Sequence, residues 1–279
     1  MKIGEALAHG TRELANAGID TARLEAELLL AKACDDCARA LLYMELRREL
    51  SDEAEHAYTE LLARRAEREP LAYILGHWGF RRLTLKTDRR ALVPRPETEI
   101  VVERALEHLS GLDAPKVLDV GTGTGAIALA IADEHPGARV TAIDVSRDAL
   151  ALAGENLDLL GVDGRVRLVE HDLTEGLGAD EFDLVVSNPP YVEPEDIETL
   201  QPEVRDWEPR IALVSHGATE AVARAATDAL RPGGWVVLEI AENQAANVEA
   251  LLRELGYGAL TISPDMAGRD RVIEGRWSR

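Results

Sequence analysis

The chain has 279 residues, which suggests about two domains, and 46% of its residues are hydrophobic, which is enough for a core in each. Its 51 acidic residues outnumber 31 basic ones and give a net charge of −20, which disfavours a nucleic-acid substrate because such binding relies on neutralising phosphates. The first residues lack the continuous apolar core of a signal peptide, and no apolar run is long enough to span a membrane, so we predict a cytoplasmic protein.

The first 69 residues are predicted to form a small bundle of helices. Ile3, Leu7 and Leu14 lie at helical spacing, ahead of a glycine that stops the helix. Further helices are predicted to begin at Asp20 or Thr21, to span residues 40–49, and to run from a cap at Ser51 to a point before Pro70. No side chains here have catalytic spacing, so we expect a packing or docking domain.

The cysteines and histidines give no sign of a metal site. Cys34 and Cys37 form a single C-x-x-C pair, but a structural zinc ion would need two more ligands nearby. The seven histidines are scattered without metal-ligand spacing. We therefore predict that the protein uses no metal.

Residues 70–94 are predicted to form a β-hairpin that links two domains. Leu83 and Leu85 alternate with polar residues, and Asp88 and Arg89 mark the expected turn before apolar residues resume. The hairpin is expected to end where the second domain begins, at residue 95.

Strands and helices alternate through the second domain. Strands are predicted over residues 116–120, 139–144, 165–170, 182–187 and 235–240. Helices are predicted over residues 124–134, 147–160 and 243–255. This alternation is typical of an α/β protein with a parallel, doubly wound sheet.

A glycine-rich loop follows the first of these strands and is a candidate ligand site. Glycines alternate with threonines, so the backbone can turn sharply and approach a ligand closely. The next helix begins at the loop and directs its free N–H groups to the same place. The loop residues are Gly121, Thr122, Gly123, Thr124 and Gly125. We expect them to bind a nucleotide-like ligand.

Two acidic residues help to identify that ligand. Asp144 ends the next strand, roughly 20 residues beyond the loop, where a carboxylate meets the ribose of an adenosine ligand. In a nicotinamide dehydrogenase the loop would face a pyrophosphate, whereas in a methyltransferase it faces the cationic methionine part of S-adenosylmethionine. Asp119 lies two residues before the first glycine, where its charge suits a cation and repels a pyrophosphate. The methyltransferase alternative is favoured.

A polar tetrapeptide follows the apolar strand over residues 182–187, and it consists of Asn188, Pro189, Pro190 and Tyr191. A carboxamide nitrogen is a poor nucleophile, because its lone pair is delocalised into the carbonyl. Methyl transfer to it needs two acceptors that hold the NH2 group, and we predict the Asn188 side-chain oxygen and the Pro189 carbonyl. The prolines fix the backbone angles, and Tyr191 is predicted to stack on the planar target. Asn-Pro-Pro alone also occurs in turns, but with the glycine loop it indicates catalysis.

Several motifs together resemble one family. The chain is similar to the protein-glutamine N5-methyltransferases that modify peptide chain release factors, over nearly its full length. The motifs are PLAYILG (70–76), PRPETE (94–99), DVGTGTG (119–125), NPPY (188–191), EP (208–209) and RDRV (269–272), together with Asp144. The NPPY motif is shared with adenine methyltransferases, whereas PRPETE is more specific.

The resemblance implies a seven-strand, Rossmann-like methyltransferase domain over residues 95–279. It implies that residues 1–69 help to dock a release factor and that residues 70–94 are the linker. The cofactor is expected to be S-adenosyl-L-methionine, and the target the glutamine of the Gly-Gly-Gln loop of a release factor. We expect a monomer without a membrane or nucleic-acid partner.

The resemblance also implies roles for individual residues. Contacts with the cofactor are expected from Asp119, Gly121, Thr122, Gly123, Thr124, Gly125, Asp144, Asp172, Leu173 and Asn188. Asp172 lies where the family approaches the adenine, and the neighbouring position, which is often aromatic in the family, is Leu173 here. Substrate contacts are expected from Asn188, Pro189, Pro190, Tyr191, Arg95 and Glu99. Glu99 is equally suited to the first turn of the following helix, whose dipole favours acidic residues.

Other functions stay open at this point. Alternative targets are a glutamine of a ribosomal protein and the N6 of adenine in a nucleic acid. The acidic net charge disfavours the nucleic acid. A cofactor-binding module without turnover is disfavoured by the complete NPPY motif. Residues 192–210 are predicted to form a long loop beside the site, and Glu239 to make structural hydrogen bonds.

Overall fold

The computed structural model describes residues 1–35, 37–162, 164–178 and 181–278. The chain divides into two compact units, Met1–His77 with Gln201–Trp207, and Trp78–Leu200 with Glu208–Arg279. The predicted domain boundaries after residues 69 and 94 stay predictions. No helix of the described residues is long and apolar enough to cross a membrane.

The first unit is helical, as predicted. Its elements are α1 (Ile3–Asn16), α2 (Ala22–Ala33), α3 (Arg39–Met44), α4 (Asp52–Ala66) and α5 (Leu71–Leu75). Ser51 caps α4, because its hydroxyl accepts a hydrogen bond from the Ala54 amide at 3.2 Å. Asp36, between the two cysteines, lies outside the described residues.

The third helix is shorter than the predicted span of 40–49. The chain beyond Met44 instead pairs its backbone with the N-terminal segment. Amides of Ile3 and Gly4 each donate a 3.0 Å hydrogen bond, to the carbonyls of Arg48 and Leu46. The backbone carbonyls of Leu46 and Arg48 thus have hydrogen-bond partners outside a helix.

The hairpin forms, but its turn was predicted in the wrong place. Its strands are β1 (His77–Phe80) and β2 (Leu83–Lys86). The turn lies between them, where Arg81 adopts a φ of +50°. The carboxylate of Asp88 accepts a 3.0 Å hydrogen bond from the Arg90 amide, and the chain bends there, after β2. The prolines that follow have no N–H group and so cannot continue a strand.

The second unit contains a seven-strand sheet, which confirms the predicted fold class. Its elements, with one short helix of the first unit (α9), are α6 (Thr98–Leu109), β3 (Lys116–Val120), α7 (Ala126–Glu134), β4 (Arg139–Asp144), α8 (Arg147–Leu160), β5 (Val166–Glu170), β6 (Phe182–Ser187), α9 (Pro202–Arg205), α10 (Ala218–Ala229), β7 (Leu230–Glu239), α11 (Ala245–Leu255), β8 (Tyr257–Pro264) and β9 (Asp270–Trp277). The strand order is β5-β4-β3-β6-β7-β9-β8; β9 is antiparallel to β7 and to β8, and the other neighbouring strands are parallel.

The segment over residues 192–210, predicted as a loop, contains short helical turns. A 3-10 helix spans Pro194–Thr199, and α9 lies within the part that belongs to the helical unit. There, Glu203 accepts hydrogen bonds from Arg65 at 2.8 Å and from Arg68 at 2.7 Å. These charge-assisted bonds hold the segment on α4 and the turn after it.

The sheet is covered by helices on both faces. Successive strand residues point to opposite sides, so Val117 and Leu118 belong to different apolar clusters. One cluster is completed by α6 and α7, and the other by α10 and α11. Burial on both faces accounts for the nearly continuous apolar strands seen in the sequence.

The strand order reverses between β3 and β6, and this reversal positions the site. The chain proceeds from β3 outward to β4 and β5, and then returns to place β6 on the other side of β3. Val120 pairs with Ser187, so both strands end side by side. Open α/β sheets bind ligands at such a switch point.

We predict that Asn156→Ala destabilises the protein by about 3 kcal/mol, because it leaves buried backbone groups without partners. The fully buried Asn156 side chain accepts from the Lys86 amide at 2.7 Å and donates to the carbonyl of Thr124 at 2.9 Å. The free energy of unfolding in urea measures this. The exposed Asn247→Ala on α11 is the matched control, and equal stability of the two variants would contradict the assignment.

Candidate active site

A cavity of about 530 Å³ opens at the carboxyl ends of β3, β4 and β6. This volume is in the range of sites for small ligands and cofactors. Eleven of the predicted site residues line it: Arg95, Gly121, Thr122, Gly123, Thr124, Asp144, Asp172, Leu173, Asn188, Pro189 and Pro190. The fold therefore brings together most of the residues that the sequence indicated.

The glycine loop forms one wall of the cavity. Amides of Gly121 and Thr122 donate to the Ile143 carbonyl at 2.9 and 3.0 Å, which joins the loop to the end of β4. Gly123 has a φ of +57° and lines the cavity. Gly125 has a φ of +83°, and a Cβ there would lie 2.9 Å from Leu129, so this glycine serves the packing of α7 and does not line the cavity.

Asp144 is held in place at the tip of β4. One carboxylate oxygen accepts from the Gly123 amide and the other from the Ser146 amide, each at 2.9 Å. Burial raises the pKa of Asp144, and these two amides counteract the rise. The carboxylate therefore lies in the cavity wall in a fixed orientation, with lone pairs left for ligand hydroxyls.

Asp119 lies behind the loop and does not line the cavity. Its side chain is fully buried, and Oδ2 accepts a hydrogen bond from the Thr122 hydroxyl at 2.6 Å. Oδ1 has no hydrogen-bond partner among the described residues. Burial raises the pKa of Asp119 to about 7, although the Thr122 hydroxyl lowers it in part. Asp119 is therefore not in the cavity wall, where a direct contact with the cofactor was predicted, but beneath the loop.

The tetrapeptide begins at the end of β6, opposite the glycine loop. The Ser187 hydroxyl donates to the Val120 carbonyl at 2.7 Å and ties the two strand ends together. Asn188 lines the cavity, and its Nδ2 donates to the Thr98 hydroxyl at 3.1 Å. Tyr191 does not line it; its hydroxyl donates to Glu239 at 3.3 Å, and burial raises the pKa of Tyr191 to about 12.

The junction residues Arg95 and Glu99 have different positions. Arg95 lines the cavity and donates to the buried Glu208 at 2.6 Å, and burial raises the pKa of Glu208. Glu99 does not line the cavity, because its carboxylate accepts from the Arg81 amide at 2.9 Å. The first turn of α6 thus directs Glu99 to the hairpin, in accordance with the alternative that made it a helix-terminus residue.

Asp172 and Leu173 form the far wall. The Asp172 carboxylate accepts from the amide and hydroxyl of Thr174 at 2.8 and 2.7 Å, which lowers its pKa. Leu173 packs against the apolar cluster that contains Val222, which also lines the cavity. The wall is therefore aliphatic at Leu173 and Val222.

Two residues that meet behind Asn188 had no role at the site predicted from the sequence. Thr98 begins α6 and lines the cavity, and its hydroxyl donates to the Glu239 carboxylate at 2.6 Å. Thr98 lies inside the PRPETE motif, so the motif was the available signal. Glu239 ends β7 next to β6, and its structural hydrogen bonds were predicted without their partners. No group of His, Cys, Asp or Glu within the described part of the chain is arranged to hold a metal ion.

The chain is similar to characterised families and structures. Residues 5–76 match the family model described as PrmC N-terminal domain, and residues 98–204 match the Methyltransferase small domain. The chain is 41% identical to the release factor glutamine methyltransferase of Caulobacter vibrioides, over 94% of this chain and 92% of that protein. It is 41% identical to that of Deinococcus radiodurans, over 99% of each.

A solved structure gives the same fold. The 16S rRNA N2 G1207 methyltransferase of T. thermophilus, in complex with AdoMet and guanosine, superposes with a TM-score of 0.53 and 20% identity. The match covers 72% of this chain and 49% of that one. At this identity the likeness establishes a methyltransferase fold.

We predict that Asp119→Asn changes how stability depends on pH. Because the pKa of Asp119 is raised to about 7, the folded protein keeps a proton that the unfolded chain releases near pH 4, and stability falls as pH rises between these values. The variant lacks this loss, so its stability relative to the wild type should increase by about 2 to 3 kcal/mol from pH 5 to pH 8. Urea unfolding of the protein without ligand measures the difference, and a difference independent of pH would contradict the assignment.

Proposed function

Since this chain belongs to the release factor glutamine methyltransferases, we propose that it methylates the N5 amide of the glutamine in the Gly-Gly-Gln loop of peptide chain release factors. The methyl donor is S-adenosyl-L-methionine. The observation that carries the proposal is that Asn188, Pro189 and Pro190 line the same cavity as the glycine loop and Asp144. An amide and a methyl donor can therefore meet there.

The residues of the cavity fit this cofactor. S-adenosyl-L-methionine has a ribose, and Asp144 offers oriented oxygens to its hydroxyls. The methionine part is cationic, and Asp119 lies beneath the loop that would bind it, where a bound cation favours the ionised carboxylate and lowers its raised pKa. A Cβ at Gly121 would have no atom within 4 Å, so the loop leaves open space for a ligand on that side. The aliphatic side chains of Leu173 and Val222 suit the adenine ring.

The cofactor supplies an electrophilic methyl group on a positively charged sulfur. The protein's task is to orient an amide nitrogen that is a poor nucleophile. The Asn188 side-chain oxygen and the Pro189 carbonyl accept its two N–H groups, so that the lone pair is directed at the methyl group. Orientation of this kind contributes several kcal/mol.

The same acceptors stabilise the transition state. Positive charge develops on the amide nitrogen as the N–CH3 bond forms and the S–CH3 bond breaks, and hydrogen bonds from its N–H groups then become stronger. The methylated nitrogen loses one proton to water. The protein needs no general base before the transfer.

The helical unit is proposed to recognise the release factor. Residues 5–76 match the PrmC N-terminal domain model, and α1 to α4 carry no catalytic constellation of their own. Docking on a separate unit leaves the cavity free to accept a single glutamine. We also propose that the enzyme is a monomer and that it acts in the cytoplasm, where translation terminates.

A labelled methyl group from S-adenosyl-L-methionine is predicted to appear on the glutamine of a release factor, and Asn188→Ala to lower kcat on the order of 10²- to 10³-fold with the fold intact. A release factor in which this glutamine is replaced, a ribosomal protein fraction and DNA are incubated in parallel. Label on one of these, with none on the intact release factor, would refute the proposal. An undiminished rate of Asn188→Ala would remove Asn188 from the mechanism.

Asp144→Ala is predicted to weaken binding of S-adenosyl-L-methionine by about 10- to 100-fold, since hydrogen bonds to a charged group contribute about 1.5 to 3 kcal/mol. Isothermal titration calorimetry measures the dissociation constant. The exposed Asp148→Ala, four residues away, is the matched control and should bind as the wild type does. Equal affinity of both variants would show that the ribose lies elsewhere.

A further inference from the structure

A chain of hydrogen bonds leads from Asn188 away from the cavity into the protein. Nδ2 of Asn188 donates to Oγ1 of Thr98 at 3.1 Å, and Thr98 donates in turn to Oε2 of Glu239 at 2.6 Å. The Tyr191 hydroxyl donates to the other oxygen, Oε1, at 3.3 Å. Thr98 is 4% exposed and Glu239 is 0% exposed, so water does not compete for these bonds.

The Glu239 carboxylate, at the end of this series of hydrogen bonds, fixes the direction of each of them. An ionised carboxylate only accepts hydrogen bonds, whereas a hydroxyl has one proton and two lone pairs. Thr98 gives its single proton to Glu239 and is left able only to accept. Asn188 must therefore turn its NH2 group towards Thr98, and its Oδ1 is directed to the opposite side of the amide.

This orientation matters because the two ends of an asparagine amide have the same shape and opposite hydrogen-bonding character. With Oδ1 towards the cavity, Asn188 accepts from the substrate NH2. With Nδ2 towards the cavity, it would present a donor to a donor, and the substrate amide would lose one of its two acceptors. Shape alone does not separate the two orientations.

We propose that Thr98 and Glu239 are positioning residues that hold the Asn188 amide with its oxygen towards the substrate. The proposal rests on the proposed function, because it assigns Asn188 as an acceptor for the glutamine NH2. Neither residue touches the reacting atoms; both act through Asn188. The three come from the end of β6, the start of α6 and the end of β7, three elements that meet at the strand ends.

Polar groups around Glu239 offset part of the cost of burying its charge. Burial raises the pKa of Glu239, and nearby Glu97 raises it further, whereas the Thr98 hydroxyl, Arg271 and the Tyr191 hydroxyl lower it. A protonated Glu239 would donate to Thr98 and free the threonine proton for Oδ1 of Asn188, which would reverse the amide. Glu239→Gln imitates that state without changing the size of the side chain.

The test compares Thr98→Val, Glu239→Gln and the conservative Thr98→Ser. Loss of the hydroxyl or of the charge should lower kcat roughly 10- to 100-fold while KM for the release factor and the affinity for S-adenosyl-L-methionine stay within about twofold. Thr98→Ser keeps the hydroxyl and should stay within about threefold of the wild type. The double variant Thr98→Val with Glu239→Gln should lose no more of kcat than the single variants, since each substitution interrupts the same series of hydrogen bonds.

Two matched controls separate positioning from general loss of stability. Thr219→Val replaces another buried threonine, whose hydroxyl has no partner within the described residues and which does not line the cavity. Glu274→Gln replaces another buried glutamate, which lies on β9 and pairs with Arg104 of α6. Both should lower stability at most and leave kcat within about twofold.

A second measurement does not depend on the substrate. Hydrogen exchange of the Asn188 side-chain NH2, followed by NMR, should be slow in the wild type and about tenfold faster in Thr98→Val, because the Thr98 acceptor protects it. The positioning role is overturned if exchange is the same in Thr98→Val and the wild type. It is also overturned if the wild type is active and both Thr98→Val and Glu239→Gln keep its kcat. A wild type that transfers no methyl group to a release factor counts against the proposed function instead, and the exchange result then decides the positioning role by itself.

Discussion

The parallel pairing of β3 with β6, in register from Val117 with Leu184 to Val120 with Ser187, is the constraint on which the site depends. The glycine loop follows β3, and the tetrapeptide follows β6. The Ser187 hydroxyl bonds the Val120 carbonyl at 2.7 Å and fixes the two ends at the same level. Because the strand order reverses here, no helix crosses above them, and the space becomes the cavity. A register shift of one residue would turn every side chain of β6 to the other face and separate the tetrapeptide from the glycine loop.

Local patterns in the sequence predicted most of this arrangement. The apolar strand over residues 182–187 followed at once by Asn188 gave the position of the tetrapeptide, and glycines alternating with threonines gave the loop. Such signals need only neighbouring residues, because strand period, helix caps and turn glycines are local properties. The doubly wound sheet followed from the alternation of elements, and the family resemblance added the number of strands.

Contacts between distant parts of the chain could not be predicted in this way. The hairpin turn was misplaced because Asp88 resembles a turn residue, and in fact it bends the chain only after β2. Glu99 was assigned to the substrate, but its carboxylate is bound by the Arg81 amide. Asp119 was expected to meet the cofactor directly, yet it lies buried beneath the loop. The partnership of Thr98 with Glu239 joins residues from separate elements that no periodicity connects.

We propose that two oxygens at the end of β6 hold the amide of the target glutamine. A crystal structure with S-adenosylhomocysteine and a Gly-Gly-Gln peptide tests it most directly. We expect the glutamine nitrogen to lie about 3 Å from both Oδ1 of Asn188 and the Pro189 carbonyl oxygen. A glutamine bound outside the cavity, or one whose nitrogen contacts neither oxygen, would contradict it.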